Sequence, residues 1–436
     1  MPKKLYIQTY GCQMNDHDSE RMAGLLAPDG YLLTDRMDEA DLILMNTCSI
    51  REKAEQKAFS ELGRIQQLHR QRPDLIVGVA GCMARQEGAA LLTRHPWLKL
   101  VFGSKQIDQL PRLLRETTAS GHPVIAVDDP LGEAPSLPAH RKGNVRAWVS
   151  IMEGCENRCS FCVVPHSRGR ERSRRSEEIV REVTELARQG YREVTLLGQN
   201  VNSYGRTSDE GVDFAGLLQR LDGVPGLARV RFTTSHPSAV TDRMIRAMAE
   251  LPTVCEHLHL PMQSGSDRVL ERMNREYTIA DYRRTIEALR AAVPGLTLTT
   301  DIIVGFPGET EEDFERTLEA ATSLAFTGLF AFKYSKRPHT PALELDGHLD
   351  ETVKTARLQR LLTEQQALVQ ARQRALVGAT HEVLFEGPSQ SHPGWLFGRT
   401  RAADQLHVEA PASLIGQMRS VIITQLRAHR LEGALA

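Results

Sequence analysis

Seven cysteines, and their distribution, constrain this 436-residue chain more than any other feature. They are Cys12, Cys48, Cys82, Cys155, Cys159, Cys162 and Cys255. An odd number argues against a closed set of disulfides, so ligand or catalytic roles come first. Three are spread through the N-terminal part, three are clustered, and one stands alone.

The clustered three lie in Gly154-Cys155-Glu156-Asn157-Arg158-Cys159-Ser160-Phe161-Cys162, a C-x3-C-x2-C spacing. The segment follows a strand-like run at residues 147–152. Zinc structural sites usually take four ligands in C-x2-C pairs. Three thiolates at this spacing can each bind one iron of a [4Fe–4S] cube, and the fourth iron is then without a protein ligand. Such an iron can chelate the amino and carboxylate groups of S-adenosylmethionine (SAM), and an electron passed to the sulfonium releases a 5′-deoxyadenosyl radical.

Cys12, Cys48 and Cys82 share a different context. Each ends a strand-like run and opens a helix-like one: Tyr10-Gly11-Cys12, Asn46-Thr47-Cys48, Ala80-Gly81-Cys82. Carboxyl ends of adjacent strands lie side by side in a parallel sheet, so three βα loops would gather these thiols. Three ligands again imply a [4Fe–4S] cluster with one open iron. Cys255 has no partner spacing and reads as a structural thiol.

Residues 1–118 alternate apolar runs (5–10, 41–46, 75–80, 98–102) with polar helix-like stretches, which predicts an open parallel-sheet α/β domain. Residues 119–144, rich in Pro, read as a linker carrying a short strand at 124–127. Residues 145–375 repeat strand and helix, with strand candidates at 147–152, 194–197, 230–233, 257–260, 296–304 and 329–334. That pattern suggests a (β/α) barrel, full or partial, closed by a charged helix near 350–376. Residues 376–436 hold short β-like runs between turns and predict a small β-barrel.

Composition is that of a globular chain: 41% hydrophobic and 25% charged, with a net charge of -1. That charge excludes a globally basic nucleic-acid binder but leaves room for a local basic face. No apolar run reaches the roughly 18 residues of a membrane span, and no secretory signal is visible. A cytoplasmic protein with reduced thiols is expected.

With these residues on view, the C-x3-C-x-aromatic-C motif resembles that of radical SAM enzymes. The resemblance implies that Phe161 sits near the SAM adenine and that Gly198, Gln199 and Asn200 belong to a segment receiving the SAM amino group. Ile303 and Gly305, in Asp301-Ile302-Ile303-Val304-Gly305-Phe306-Pro307-Gly308-Glu309, would flank the cofactor. Both segments read equally as scaffold, with Glu309 in a first helical turn.

Further pieces extend the resemblance over nearly the whole chain to the radical SAM methylthiotransferase family. They are Gln8-Thr9-Tyr10-Gly11-Cys12-Gln13-Met14-Asn15, Asn46-Thr47-Cys48-Ser49-Ile50-Arg51-Glu52-Lys53-Ala54, Cys162-Val163-Val164-Pro165, Leu260-Pro261-Met262-Gln263-Ser264-Gly265-Ser266 and Tyr334-Ser335-Lys336-Arg337-Pro338. Gly398-Arg399-Thr400 resembles part of an RNA-binding TRAM domain. The chain is similar to the branch that methylthiolates C2 of N6-isopentenyladenosine beside the tRNA anticodon. Sister branches act on threonylcarbamoyl-adenosine or a ribosomal-protein aspartate, and an iron–sulfur RNA-binding protein is the non-enzymatic alternative. Arg158, His166 and His339 depart from residues usual in relatives.

The resemblance implies two [4Fe–4S] clusters, SAM, a low-potential electron donor such as flavodoxin or ferredoxin, a sulfur donor and a monomeric enzyme. For the anticodon stem-loop, the basic run Arg168, Arg170, Arg172, Arg174 and Arg175 offers phosphate contacts. The same arginines read nearly as well as barrel salt bridges. In the C-terminal barrel Arg399 and Arg401, with Trp395 and Phe397, offer RNA contacts, although the two rings equally suit a core.

Overall fold

The structure, a computed structural model, describes residues 2–48, 52–130 and 132–436. Ser49, Ile50 and Arg51 of the second N-terminal motif lie outside the described residues.

The N-terminal runs form one parallel sheet because each is buried on both faces. Leu42, Leu44 and Leu100 enter one apolar cluster, and Ile43, Met45 and Val101 enter the cluster on the opposite face. Strand order is Tyr31–Leu33, Lys3–Thr9, Leu42–Thr47, Ile76–Gly81, Leu100–Phe102, Val124–Ala126. The last strand corrects the expected boundary. Leu100 pairs with Val124 and Phe102 with Ala126, so residues 124–126 finish the sheet and the connecting segment begins after them. The edge strand Tyr31–Leu33 escapes sequence reading because it is three residues long and leaves Leu32 and Leu33 exposed.

The central unit is a partial barrel of six parallel strands. Arg146–Ser150, Glu193–Leu197 and Arg229–Thr233 form one set, and His257–His259, Thr297–Val304 and Gly328–Lys333 the other. A parallel bridge between Val230 and Val254 joins them. Val149, Val194, Leu196, Val230, Leu258 and Ile302 face the outer helices and form the main core. The alternate residues, which period-two geometry turns inward, are largely polar.

The foot of this barrel is filled by the C-terminal domain. That domain is a closed barrel of Thr380–Pro388, Trp395–Thr400, Gln405–Glu409, Arg430–Leu435 and Met418–Arg427, in that order. Its turn after Thr400 enters the foot. Arg231 donates to the Arg401 and Thr400 carbonyls at 2.9 and 2.7 Å, Arg229 to the Arg399 carbonyl at 2.7 Å, and Thr297 Oγ1 to the Ala402 carbonyl at 2.8 Å.

At the opposite end, buried ion pairs join the barrel mouth to the N-terminal domain. Asp18 receives Arg168 at 2.8 Å, and Glu153 receives Arg21 at 2.9 Å and Arg172 at 3.0 Å. All five residues are buried. Burial alone would raise the Glu153 carboxyl, but Arg21 and Arg172 outweigh it and hold the group at about 2. This folded value lies below the ordinary 4.5, so the stabilisation is complete above pH about 4.5 and is lost as pH falls towards about 2. Its size is on the order of 3 kcal/mol. Glu153→Gln should lower stability at pH 7 by that order in denaturant titrations, with a penalty that shrinks below pH about 4.5. A pH-independent penalty would count against the ion-pair origin.

Candidate functional site

Cys12, Cys48 and Cys82 stand at the carboxyl ends of three neighbouring strands, where register brings them together: Thr9 pairs with Asn46, and Thr47 with Gly81. A Cβ on Gly11 would lie 2.8 Å from Cys48 Cβ, so glycine is needed for this approach. Asn15 and Asn46 clamp the loops. Asn15 Nδ2 donates to the Thr47 carbonyl at 3.1 Å, and Asn46 Nδ2 to the Asn15 carbonyl at 2.7 Å. Cys48 and Cys82 are buried and Cys12 is partly exposed. Burial pushes the Cys82 thiol up.

Cys155, Cys159 and Cys162 lie in the loop at the mouth of the first barrel strand. Burial pushes Cys155 to about 11 and Cys162 to about 12, and the neighbouring thiols add to the shift. Arg275 reaches this set: its guanidinium donates to Cys159 Sγ at 3.2 Å and to Tyr277 Oη at 3.0 Å. Arg275 was not apparent from the sequence, because nothing in its local pattern separates it from a surface arginine.

The two sets meet through one short segment. The helix Cys82–Glu87 packs on the helix Val164–Ser167, which follows Cys162, and Arg85 donates to the His166 carbonyl at 2.9 Å. Burial works against the charge of Arg168, yet Asp18, and behind it Cys82 and Cys12, hold the guanidinium protonated. Cys255 lies apart, buried at the barrel foot beside Arg231 and Glu193.

Among the described residues no three His, Cys, Asp or Glu side chains converge on a single metal ion. A cube asks for something else, since each thiolate binds its own iron and the thiols surround a larger body. Unpartnered polar atoms around the mouth suit a polar cofactor. Asn200 Oδ1, Thr234 Oγ1, Ser235 Oγ, Gln263 Oε1 and Glu171 Oε1 are buried with no hydrogen-bond partner. Such atoms are costly unless something binds them. They supply acceptors for an ammonium or ribose hydroxyl and donors for a carboxylate. Gln263 also holds a left-handed backbone, φ 68°, the kind of strain found at ligand sites.

The other expected cofactor positions divide. Gln199 Oε1 accepts the Gly154 amide at 2.6 Å and so braces the cysteine loop. Phe161 and Ile303 share a small apolar group with Phe306, the Phe161 and Phe306 rings standing 6.3 Å apart edge to face. Gly198 packs on Met152, where a Cβ would lie 2.5 Å from its Cγ. Gly305 is covered by Lys354, and its amide is taken by Glu309 Oε1 at 3.0 Å. Packing accounts for both glycines. Glu309 precedes its helix, which Thr310 and Asp313 cap.

The expected RNA contacts require correction. Arg168 and Arg172 are buried in the ion pairs at the domain junction, and Arg174 is buried against Glu182 at 2.8 Å. Arg399 is bound by Glu386 and Arg401 by Glu256, at 2.5 and 2.8 Å. Arg168 and Arg401 are thus engaged across domain boundaries, and Arg172, Arg174 and Arg399 within their own domains. Arg170 remains exposed. In the C-terminal barrel Leu396 enters the core while Trp395 and Phe397 turn outward. Their rings meet His392 at 5.1 Å and His407 at 5.6 Å. His166 and His339, two of the departures noted above, are themselves neighbours with ring centroids 5.7 Å apart.

Known proteins resemble this chain in sequence and in fold. The family model for the Radical SAM superfamily matches residues 149–321, and that for the uncharacterized protein family UPF0004 matches residues 4–103. The fold resembles TsrM, a radical SAM methyltransferase from Kitasatospora setae, with TM-score 0.58, 15% identity and coverage of 78% of this chain and 75% of that one. It also resembles OxsB, a cobalamin-dependent radical SAM enzyme, with TM-score 0.53, 13% identity and coverage of 85% and 56%. At these identities the likeness concerns fold alone. Relatives named tRNA-2-methylthio-N(6)-dimethylallyladenosine synthase match along their length. The protein of Bordetella petrii is 48% identical over 100% of this chain and 92% of its own, and that of Acetivibrio thermocellus 45% over 99% and 91%. The chain therefore belongs to the tRNA-2-methylthio-N(6)-dimethylallyladenosine synthase family of radical SAM proteins.

Proposed function

We propose that this enzyme attaches a methylthio group to C2 of N6-dimethylallyladenosine in tRNA, at position 37 beside the anticodon. The observation that carries the reading is the meeting of two cysteine triads at one domain junction, joined by the segment from Val164 to Arg168. C2–H is an unactivated aromatic position that acid–base catalysis cannot address.

Cys155, Cys159 and Cys162 would hold a [4Fe–4S] cluster that cleaves SAM, and Cys12, Cys48 and Cys82 a second cluster that presents sulfur. The chain's own residues order these parts. Arg275 fixes Cys159 and places positive charge beside its sulfur. Asn15 and Asn46 hold the N-terminal loops to one another. Asn200, Glu171 and Gln263 offer buried acceptors to the SAM ammonium and ribose. The Asp18–Arg168 and Arg21–Glu153–Arg172 pairs hold the two sites in a fixed relation.

The outward Trp395 and Phe397, with Arg170, are the proposed RNA contacts in place of the buried Arg168 and Arg172 and the carboxylate-bound Arg399 and Arg401. A low-potential donor such as flavodoxin or ferredoxin supplies electrons, and a separate donor replaces the consumed sulfur. Among the described residues no helix is long and apolar enough to cross a membrane.

Nucleoside mass spectrometry of tRNA from cells with and without the gene tests the substrate. Loss should remove 2-methylthio-N6-dimethylallyladenosine and accumulate the unthiolated nucleoside, whereas an unchanged profile would exclude this substrate. Iron analysis tests the two triads. Wild-type protein should hold about eight irons per chain, and Cys155→Ala and Cys12→Ala about four each. Equal iron in Cys12→Ala and wild type would remove the second cluster. Arg275→Gln should make the potential of the SAM-cleaving cluster more negative, because the lost charge and N–H···S bond favour the reduced form. A redox titration followed by electron paramagnetic resonance measures this, and an unshifted potential would reduce Arg275 to a packing role.

A further inference from the structure

We infer that His259, Asp301 and Phe330, on the inward face of the barrel, form the seat for the target base and its dimethylallyl arm. The assignment deepens the function proposed above and rests on it.

Alternation places the three side chains. Leu258 faces the outer core, and Leu329 and Ala331 pack against it, so His259 and Phe330 project to the other side. Asp301 lies between Ile302 and Thr300, the first a core residue, and pairs across strands with Phe330. His259 Nδ1 lies 3.0 Å from Thr299 Oγ1, and its Nε2 lies 3.5 Å from Asp301 Oδ2. The Phe330 ring stands edge to face with the imidazole at 5.8 Å. The group is thus built on three neighbouring strands.

Its depth is what a substrate requires. One inward position further along the strand from Asp301 is Ile303, which packs with Phe161 of the cysteine loop. In the other direction Thr297 is bonded to the C-terminal plug. The group therefore lies between the cofactor mouth and a closed floor.

The chemistry of the three side chains selects the ligand. Phe330 is 54% exposed although it points inward, and the Asp301 side chain is 29% exposed. An uncovered apolar ring beside a carboxylate fits a flat base that carries an apolar substituent and an N–H. N6-dimethylallyladenine has both: the arm lies against Phe330, and N6–H donates to Asp301. Plain adenine would leave the ring uncovered.

The test compares two anticodon stem-loop RNAs of one sequence, with adenosine or N6-dimethylallyladenosine at the target position. Fluorescence anisotropy gives the affinity of the full-length protein for each, and the ratio cancels the shared phosphate contacts. Wild type should prefer the prenylated RNA by roughly tenfold. Phe330→Ala should bring the ratio close to one, Phe330→Leu should retain most of it, and Asp301→Asn should weaken binding of both RNAs. Wild-type iron content in each variant serves as the check on folding. A wild-type ratio near one, or an unchanged ratio in Phe330→Ala, overturns this assignment. Incubation of the wild-type holoenzyme with SAM, a low-potential reductant and the prenylated RNA separates the two readings. Product with an unchanged Phe330→Ala ratio overturns only the base seat, and absence of 2-methylthio product overturns the substrate and the seat together.

Discussion

The buried arginine–carboxylate pairs at the domain junction are the constraint on which the rest of the site depends. A thiol triad can be gathered by one sheet or one loop, but two triads serve one reaction only if their domains keep a fixed relation. A flexible apolar contact would not fix it to within an ångström. Asp18–Arg168 and Arg21–Glu153–Arg172 are directional and fully enclosed. Buried pairs are a poor source of net stability compared with apolar packing, and geometry is the best-attested benefit they bring. Here the benefit has an evident use, since Arg168 is held by Asp18 and faces Cys12 and Cys82.

The same reasoning applies at the other end of the barrel. Arg229 and Arg231 would be buried charges at the base of an open sheet, and the backbone carbonyls of Arg399, Thr400 and Arg401 meet them. The C-terminal barrel is therefore part of the central domain's structure, and its outward rings sit on a rigid support. One small domain thus closes the floor while its Trp395 and Phe397 stay outside its own core.

What could be read from the sequence, and what could not, follows from the range of the information. A strand followed by Gly-Cys or Thr-Cys and then a helix is a local pattern, and parallel-sheet geometry converts it directly into proximity. C-x3-C-x2-C is local in the same way. The arginines leave two readings open because charge is visible in a sequence while its partner is not. Asp18 is 150 residues from Arg168, and Glu256 is 145 from Arg401. Residues 124–127 read as a short strand, but nothing local says that it joins the N-terminal sheet beside Leu100–Phe102. Phe330 posed another problem: Gly328–Lys333 is apolar at both parities, so only its neighbours decide which face is the core.

The partial barrel explains why an inward phenylalanine can stay uncovered. A closed eight-stranded barrel has an interior that its own side chains fill. Here the strands Arg146–Ser150 and Gly328–Lys333 are the two edges, and among the described residues neither is paired with the other. Phe330 lies on one of those edges. Six strands leave a lateral opening, and an inward face beside it is wide enough to be lined without being filled. Several of its polar members are bonded to one another, as in the Arg231–Glu193 pair at 3.0 Å and the Thr299–His259 contact. The apolar core has been moved outward, between strands and helices, and the interior is free to receive a base presented by a much larger molecule that itself stays outside.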